Sequence, residues 1–269
     1  MFHYIPYQLS ALNIALLQSD IAWENPDKNL EAFDQKLDQI NSPCDLIILP
    51  EMFSTGFTMD ARRHAQNMEG NSVSWMRNAA RRKDAVICGS LIIEDEGKYY
   101  NRLIWMQPNG AHTHYDKRHL FRLAGEEKFY TAGTHQWIMH LKGWNICPLI
   151  CYDLRFPVWS RRRKDFDYDL LVFVANWPEK RVFAWTQLLA ARAIENQCFV
   201  AGVNRTGIDG NHHPYTGDSA MHDYTGKKIS SFSSFEEKTE VFSLDIQEMK
   251  EFRQQLPFLN DADDFKLII

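Results

Sequence analysis

The sequence has no long apolar run. Nowhere in its 269 residues do apolar side chains continue for the ~18 positions that a membrane-spanning helix needs. Nor does one charge dominate: 30 lysines and arginines stand against 35 aspartates and glutamates, a net of −5. Nucleic acid and anionic membrane surfaces both call for a basic face, so neither is expected as a partner. The densest basic run, Arg161 to Lys164, reads as a solvated helix end.

Linkers are also missing. No stretch rich in Pro, Gly or Ser and no low-complexity tract divides the chain, so residues 1–269 read as one domain. Cysteine is scarce: Cys44, Cys88, Cys147, Cys151 and Cys198 are odd in number and irregular in spacing. That pattern suits reduced thiols better than a disulfide framework. The start, MFHYIPYQLSALNIALLQSD, lacks a basic segment, and its apolar run around Ile14 to Leu17 is too short for a signal peptide. A cytoplasmic location is therefore expected. Metal and cofactor signals are absent as well. His112 and His114 share a strand face with His119 nearby, yet no further ligands follow at metal spacing. GDSAMHDYTGK lacks phosphate-loop spacing.

What remains is ordinary globular composition, 45% hydrophobic and 24% charged, in a chain long enough to bury a core without staples. Short apolar runs alternate with helical patterns. Leu12 to Leu17, Asp45 to Leu49, Ala85 to Ile93, Lys98 to Gln107 and Ala111 to Tyr115 read as strands. So do Trp137 to Leu141, Trp144 to Ile150, Asp169 to Ala175, Cys198 to Val203, Asp218 to His222 and Lys238 to Leu244. Helices are predicted over Asn25 to Ile40, with Asn25 as N-cap before Pro26, and over Ser72 to Lys83, Val158 to Lys164 and Phe183 to Asn196. Hairpins beside strand–helix–strand units imply an α/β class with mixed sheets covered by helices.

In three places a reactive polar residue directly follows an apolar strand: Glu51 in LIILPEMFSTGF, Lys117 in HYDKRHLF and Cys151 in ICPLICYDLRFP. Strand ends facing a common rim are where α/β proteins assemble sites. The three types are chemically complementary. A thiol is mostly protonated at neutral pH and needs help to become a nucleophile. A carboxylate can take its proton and later pass it to a leaving amine. An ammonium can stabilise an oxyanion, with the Tyr152 N–H as a second donor. Taken singly, each has a plainer reading: a core thiol, a turn carboxylate, a surface charge.

The local sequence joins them. LPEMFSTGF, YDKRHLF and ICYDLRFP, with NRLIWMQPNG and RAIENQCFVAGVNR in support, resemble the nitrilase or carbon–nitrogen hydrolase superfamily, and within it the omega-amidase (2-oxoglutaramate amidase) branch. The resemblance runs from Leu12 to Leu244. It implies a four-layer αββα sandwich that dimerises through its sheets. It implies Glu51 as general base, Lys117 as oxyanion stabiliser and Cys151 as nucleophile, with no metal or organic cofactor. A second glutamate of the family stands seven residues before a glycine; with Gly133 as that glycine it is Glu126 rather than Glu127.

The implied substrate is a small oxo-acid monoamide, 2-oxoglutaramate or 2-oxosuccinamate. Arg155 is a candidate for its far carboxylate, the structural alternative being a pair with an acid such as Asp153. Asn176 and Trp177, after a predicted strand, are pocket candidates. Phe53 and Phe57 could wall the cleft or belong to the core. The rival readings are an N-carbamoyl amide, aliphatic amide or nitrile hydrolase, and a non-catalytic binding member.

Overall fold

The computed structural model describes residues 11–268; the first ten residues of the segment read above for a leader lie outside them. The chain runs β1 (Leu12–Gln18), α1 (Pro26–Asp38), β2 (Leu46–Ile48), α2 (Ala61–His64), α3 (Asn71–Lys83), β3 (Val86–Asp95), β4 (Lys98–Met106) and β5 (His112–Asp116). It continues through β6 (Met139–Leu141), β7 (Trp144–Ile150), α4 (Pro157–Ser160), β8 (Leu170–Ala175), α5 (Val182–Asn196) and β9 (Phe199–Asn204). The last elements are β10 (Thr206–Ile208), β11 (Pro214–Thr216), β12 (Ala220–His222), β13 (Lys238–Leu244) and α6 (Ile246–Gln255).

Two mixed sheets result. One has the order β13-β1-β2-β3-β4-β5 and the other β12-β9-β8-β7-β6. In the first, β1, β2 and β3 run parallel with antiparallel strands outside them. In the second, β7, β8 and β9 are the parallel set. Period-two alternation sorts the side chains of the first sheet. Ile14, Leu16, Leu46 and Ile48 meet Leu149 and Phe173 of the second sheet in one core. Ala15, Leu17 and Ile47 face the other way, onto Phe33 and Leu37 of α1 and Val73 and Met76 of α3. Buried on both faces, these strands are nearly all apolar, as parallel strands between two layers must be.

On the far side of the second sheet lies α5, whose Trp185 and Leu189 press on β9. A Cβ at Gly202 would stand 2.5 Å from the Leu189 side chain, so this residue lets helix and strand close up. The layers are therefore helix, sheet, sheet, helix, the αββα sandwich that the resemblance implies.

Local signals explain most element ends. Asn25 caps α1, its side chain accepting from the Lys28 N–H at 3.2 Å, with Pro26 at the first helical position. The β3–β4 hairpin turns at Glu96 and Gly97, both at positive φ, the conformation a tight two-residue turn requires. Three expectations are corrected. The strand expected from Trp137 begins at Met139, and the helix expected over Val158 to Lys164 is only α4. Arg161 to Lys164 is not a solvated helix end. Arg161 donates to the Glu195 carbonyl, and the Arg162 N–H donates to the Asn196 side chain at 2.9 Å. The Arg161 side chain and, at 3.5 Å, the Arg162 guanidinium thus meet the last carbonyls of α5. All five cysteines are free and buried. Among the described residues no helix is long and apolar enough to cross a membrane.

Candidate active site

Four of the expected residues sit at or shortly beyond strand ends. Lys117 and Cys151 directly follow β5 and β7, Asn176 follows β8, and Glu51 lies three residues past β2. The strands belong to both sheets, so the site forms where their ends meet.

Lys117 is the centre. Its Nζ donates to Glu51 Oε1 at 2.9 Å and to both Glu126 oxygens, at 3.1 and 3.0 Å. All three side chains are 0% exposed. Of the two neighbouring glutamates, Glu126 joins the cluster, whereas Glu127 is exposed. Gly133 fixes the strand end that carries the lysine. Its N–H donates to the Lys117 carbonyl at 2.9 Å, and a Cβ there would lie 2.1 Å from the Asp116 carbonyl oxygen. Gly133, the glycine that the resemblance points to, is thus a close-packing position.

Two carboxylates around one ammonium, all removed from water, set the protonation states. Burial draws Lys117 down, but Glu126 and Glu51 outweigh it, so the lysine is held above its usual value and stays charged. Burial pushes the Glu126 carboxyl up; Lys117 pulls it down and Glu51 pushes it up again. Glu51 is bound on several sides. Its Oε1 also accepts from Asn101 Nδ2 at 2.7 Å, and its Oε2 accepts from the Asn176 N–H at 2.7 Å.

Cys151 opens a 3-10 turn, Cys151–Arg155, at φ +43, a region that costs a non-glycine residue ~1–3 kcal/mol. Asp153 holds that turn. Fully buried, it accepts from the Ile150 N–H at 3.1 Å, the Tyr115 hydroxyl at 2.7 Å and the His119 N–H at 3.0 Å. Burial, reinforced by Glu51 and only partly offset by Lys117, keeps the Cys151 thiol well above its ordinary pKa. The resting group is a neutral thiol, 9% exposed, at the floor of a cavity of about 550 Å³.

Phe57, Tyr152, Arg155, Asn176 and Trp177 all line this cavity, as the sequence suggests. Phe57 lays its ring 5.0 Å from Lys117 Nζ. Phe53 does not join it; it is in the core, edge-on to Phe33. Arg155 does not pair with Asp153, whose oxygens are taken by the partners above. Its guanidinium lies over the Trp177 ring at 4.9 Å, and among the described residues it has no carboxylate within 4.0 Å. Asn176 does two things. It donates through Nδ2 to the Glu51 carbonyl, while its buried Oδ1 has no partner among the described residues.

The sequence profile described as carbon-nitrogen hydrolase matches residues 13–254. The chain belongs to the carbon–nitrogen hydrolase family. Omega-amidase YafV of Yersinia enterocolitica is 42% identical over 260 residues, 97% of this chain and 100% of that protein. The 2-oxoglutaramate amidase of Bacillus subtilis (strain 168) is 32% identical over 251 residues, 92% of this chain and 96% of that one. Among solved structures, a CN-hydrolase superfamily protein of Xanthomonas campestris, with an arsenic adduct in its active site, superposes with a TM-score of 0.93. It is 42% identical and covers 96% of this chain and 99% of its own.

Sequence reasoning missed two residues that this family member brings to the site. Asn101 is fully buried in β4 and touches both carboxylates, at 2.7 Å to Glu51 and 3.4 Å to Glu126. A signal was present: it is a polar residue beside a run of buried apolar ones, and such residues are buried only with partners. Arg181 lines the cavity, but in WPEKR it resembles any solvated charge at a helix start.

Proposed function

We propose that the chain is an omega-amidase, a thiol amidohydrolase that cleaves the terminal amide of a small oxo-acid monoamide, 2-oxoglutaramate or 2-oxosuccinamate, to the acid and ammonia. The observation that carries this reading is Lys117 bridging Glu51 and Glu126 beside Cys151, in a chain 42% identical along nearly its whole length to an omega-amidase.

The chemistry follows from the protonation states. The thiol rests neutral, so attack needs a base at the moment of bond formation. Glu51 takes the sulfur proton as Sγ bonds to the amide carbon. The oxyanion sits between Lys117 and the Tyr152 N–H, which lies in the first turn of a 3-10 helix where amides lack an acceptor within the turn. Glu51 then protonates the nitrogen, the C–N bond breaks, and ammonia leaves a thioester on Cys151. Water gives a proton to Glu51 and attacks the thioester. The C–S bond breaks, the acid departs, and the sulfur recovers its proton. Glu126 positions Lys117. The unpartnered Asn176 Oδ1 is a ready acceptor for the substrate amide N–H. This reaction requires neither metal nor organic cofactor.

Ammonia release from 2-oxoglutaramate tests the proposal, measured beside N-carbamoyl, aliphatic-amide and nitrile compounds with Cys151→Ala as blank. Fastest release from the oxo-acid amide is expected. Release only from another compound would move the activity to a sister reaction, and silence across the panel would favour a non-catalytic binding member.

We infer further that the protein works as a cytoplasmic homodimer. Five buried thiols without a disulfide suit a reducing compartment. Phe183 and Ile194 of α5, 76% and 58% exposed, are apolar surface that a second copy could cover. A monomer by light scattering would contradict the dimer.

A further inference from the structure

Charge in the cavity is unevenly matched. Deep inside, Lys117 is fully paired. Toward the opening stand Arg155 and Arg181, and among the described residues neither has a carboxylate within 4.0 Å. Carboxylates are available on the same walls but are engaged elsewhere. Glu24 accepts from the Thr58 hydroxyl at 2.6 Å and faces His64 at 3.3 Å. Asp209 accepts from the Asn211 and His213 N–H groups and the Tyr215 hydroxyl. Asp60 is exposed. The fold thus keeps acids in the cavity without letting them neutralise the two arginines.

The arginines are held on a stiff support. Arg155 lies over Trp177, and Arg181 lies over Phe121, each guanidinium 4.9 Å from the ring. The Trp177 Nε1–H donates to the Arg181 carbonyl at 2.8 Å. Trp177 is itself gripped by Asn204, which accepts from its N–H at 2.7 Å and donates to its carbonyl at 2.9 Å. Burial lowers the Arg181 pKa from its ordinary value, Cys151 and Tyr215 raise it, and Arg155 lowers it, so this guanidinium feels both the nucleophile and the other arginine. Arg181 also stands at the N-terminal end of α5, whose first turn carries no acid and no side-chain cap, adding further positive potential there.

We propose that Arg181 is a specificity-determining residue that, together with Arg155, binds the carboxylate of the substrate at the end remote from the scissile amide. The inference rests on the oxo-acid amide reading of the same site and extends it. Half-buried guanidiniums lying over aromatic rings, with no acidic partner among the described residues, form a preorganised receptor for a planar anion, since two forks can meet two carboxylate oxygens without first breaking an ion pair. With the amide at Cys151 and Asn176, the carboxylate end selects for acids and against neutral amides of the same length.

The test compares kcat/KM for 2-oxoglutaramate with that for pentanamide, a neutral amide of equal chain length, in the wild type, Arg181→Gln and Arg181→Lys. The wild type should favour the oxo-acid amide. Arg181→Gln should lower that ratio by about 10–150-fold, the worth of one charge-assisted hydrogen bond, mainly through KM. Arg181→Lys, which keeps the charge but loses the fork, should lower it less. Both variants are checked for folding by thermal melting, and the lysine variant alone suffices if the glutamine one does not fold. A ratio unchanged in the folded variants, while the wild type still prefers the acid, would overturn the role of Arg181 and leave the activity standing. A wild type with no preference would overturn the functional reading and the clamp with it.

Discussion

The floor and the mouth of one cavity treat charge in opposite ways. At the floor, Glu51, Lys117, Glu126 and Asn101 are fully buried and bonded to each other. At the mouth, Arg155 and Arg181 are half-buried, lie over aromatic rings and are matched to no acid among the described residues. A charge removed from water must find a partner. In the proposed mechanism, the groups whose partners the protein supplies carry proton transfer and oxyanion stabilisation, and the groups without one are those proposed to meet the ligand.

The sharpest way to break this division is at the base. Glu51→Gln should cut ammonia release by ~10²–10⁴-fold, the usual worth of a general acid–base group. The same change removes an anion that raises the Cys151 pKa, so the thiolate should form at lower pH, as read by ultraviolet titration of the thiol. A less active enzyme with a more acidic thiol is the signature of a base acting during attack. An unmoved thiol titration would place Glu51 away from the sulfur.

Lys117→Ala should reduce turnover by ~10²–10³-fold, as expected for a lost oxyanion donor. It should also cost ~3–5 kcal/mol in chemical denaturation, because two buried carboxylates lose their cation. Loss of activity at unchanged stability would mean that the floor tolerates unpaired charge, contrary to the division drawn here. Asn101→Ala should have a smaller effect, about tenfold and mainly in kcat, since it removes a neutral donor from two carboxylates that keep Lys117 as partner. At the lower limit, Glu127→Gln should leave kcat within error, whereas Glu126→Gln should lower it at least as far as Asn101→Ala does; the reverse order would reassign the glutamate beside Lys117.

The floor was largely legible in the sequence and the mouth was not. Cys151 directly follows the apolar β7, Lys117 directly follows β5 and Glu51 lies three residues past β2, while Glu126 was picked out by the resemblance through its spacing to Gly133, a glycine that packs against the Asp116 carbonyl. Such constraints leave a pattern along the chain. Arg181 is brought to the cavity by the packing of a helix start against Trp177 and Phe121, and nothing local to WPEKR records that contact. Arg155 was visible as a candidate, but Asp153 looked equally able to pair with it. Only the folded chain shows Asp153 already satisfied by Tyr115, His119 and Ile150. The same limit explains the basic run at Arg161, which looked solvated because its acceptors, the Glu195 and Asn196 carbonyls at the end of α5, are 34 residues away.

The most direct measurement is mass spectrometry of the enzyme quenched during turnover of 2-oxoglutaramate. A thioester-linked acyl group on the peptide containing Cys151, absent from Cys151→Ala, is the predicted result. Ammonia release at full rate with no adduct on Cys151, or with the acyl group on another residue, would contradict the account.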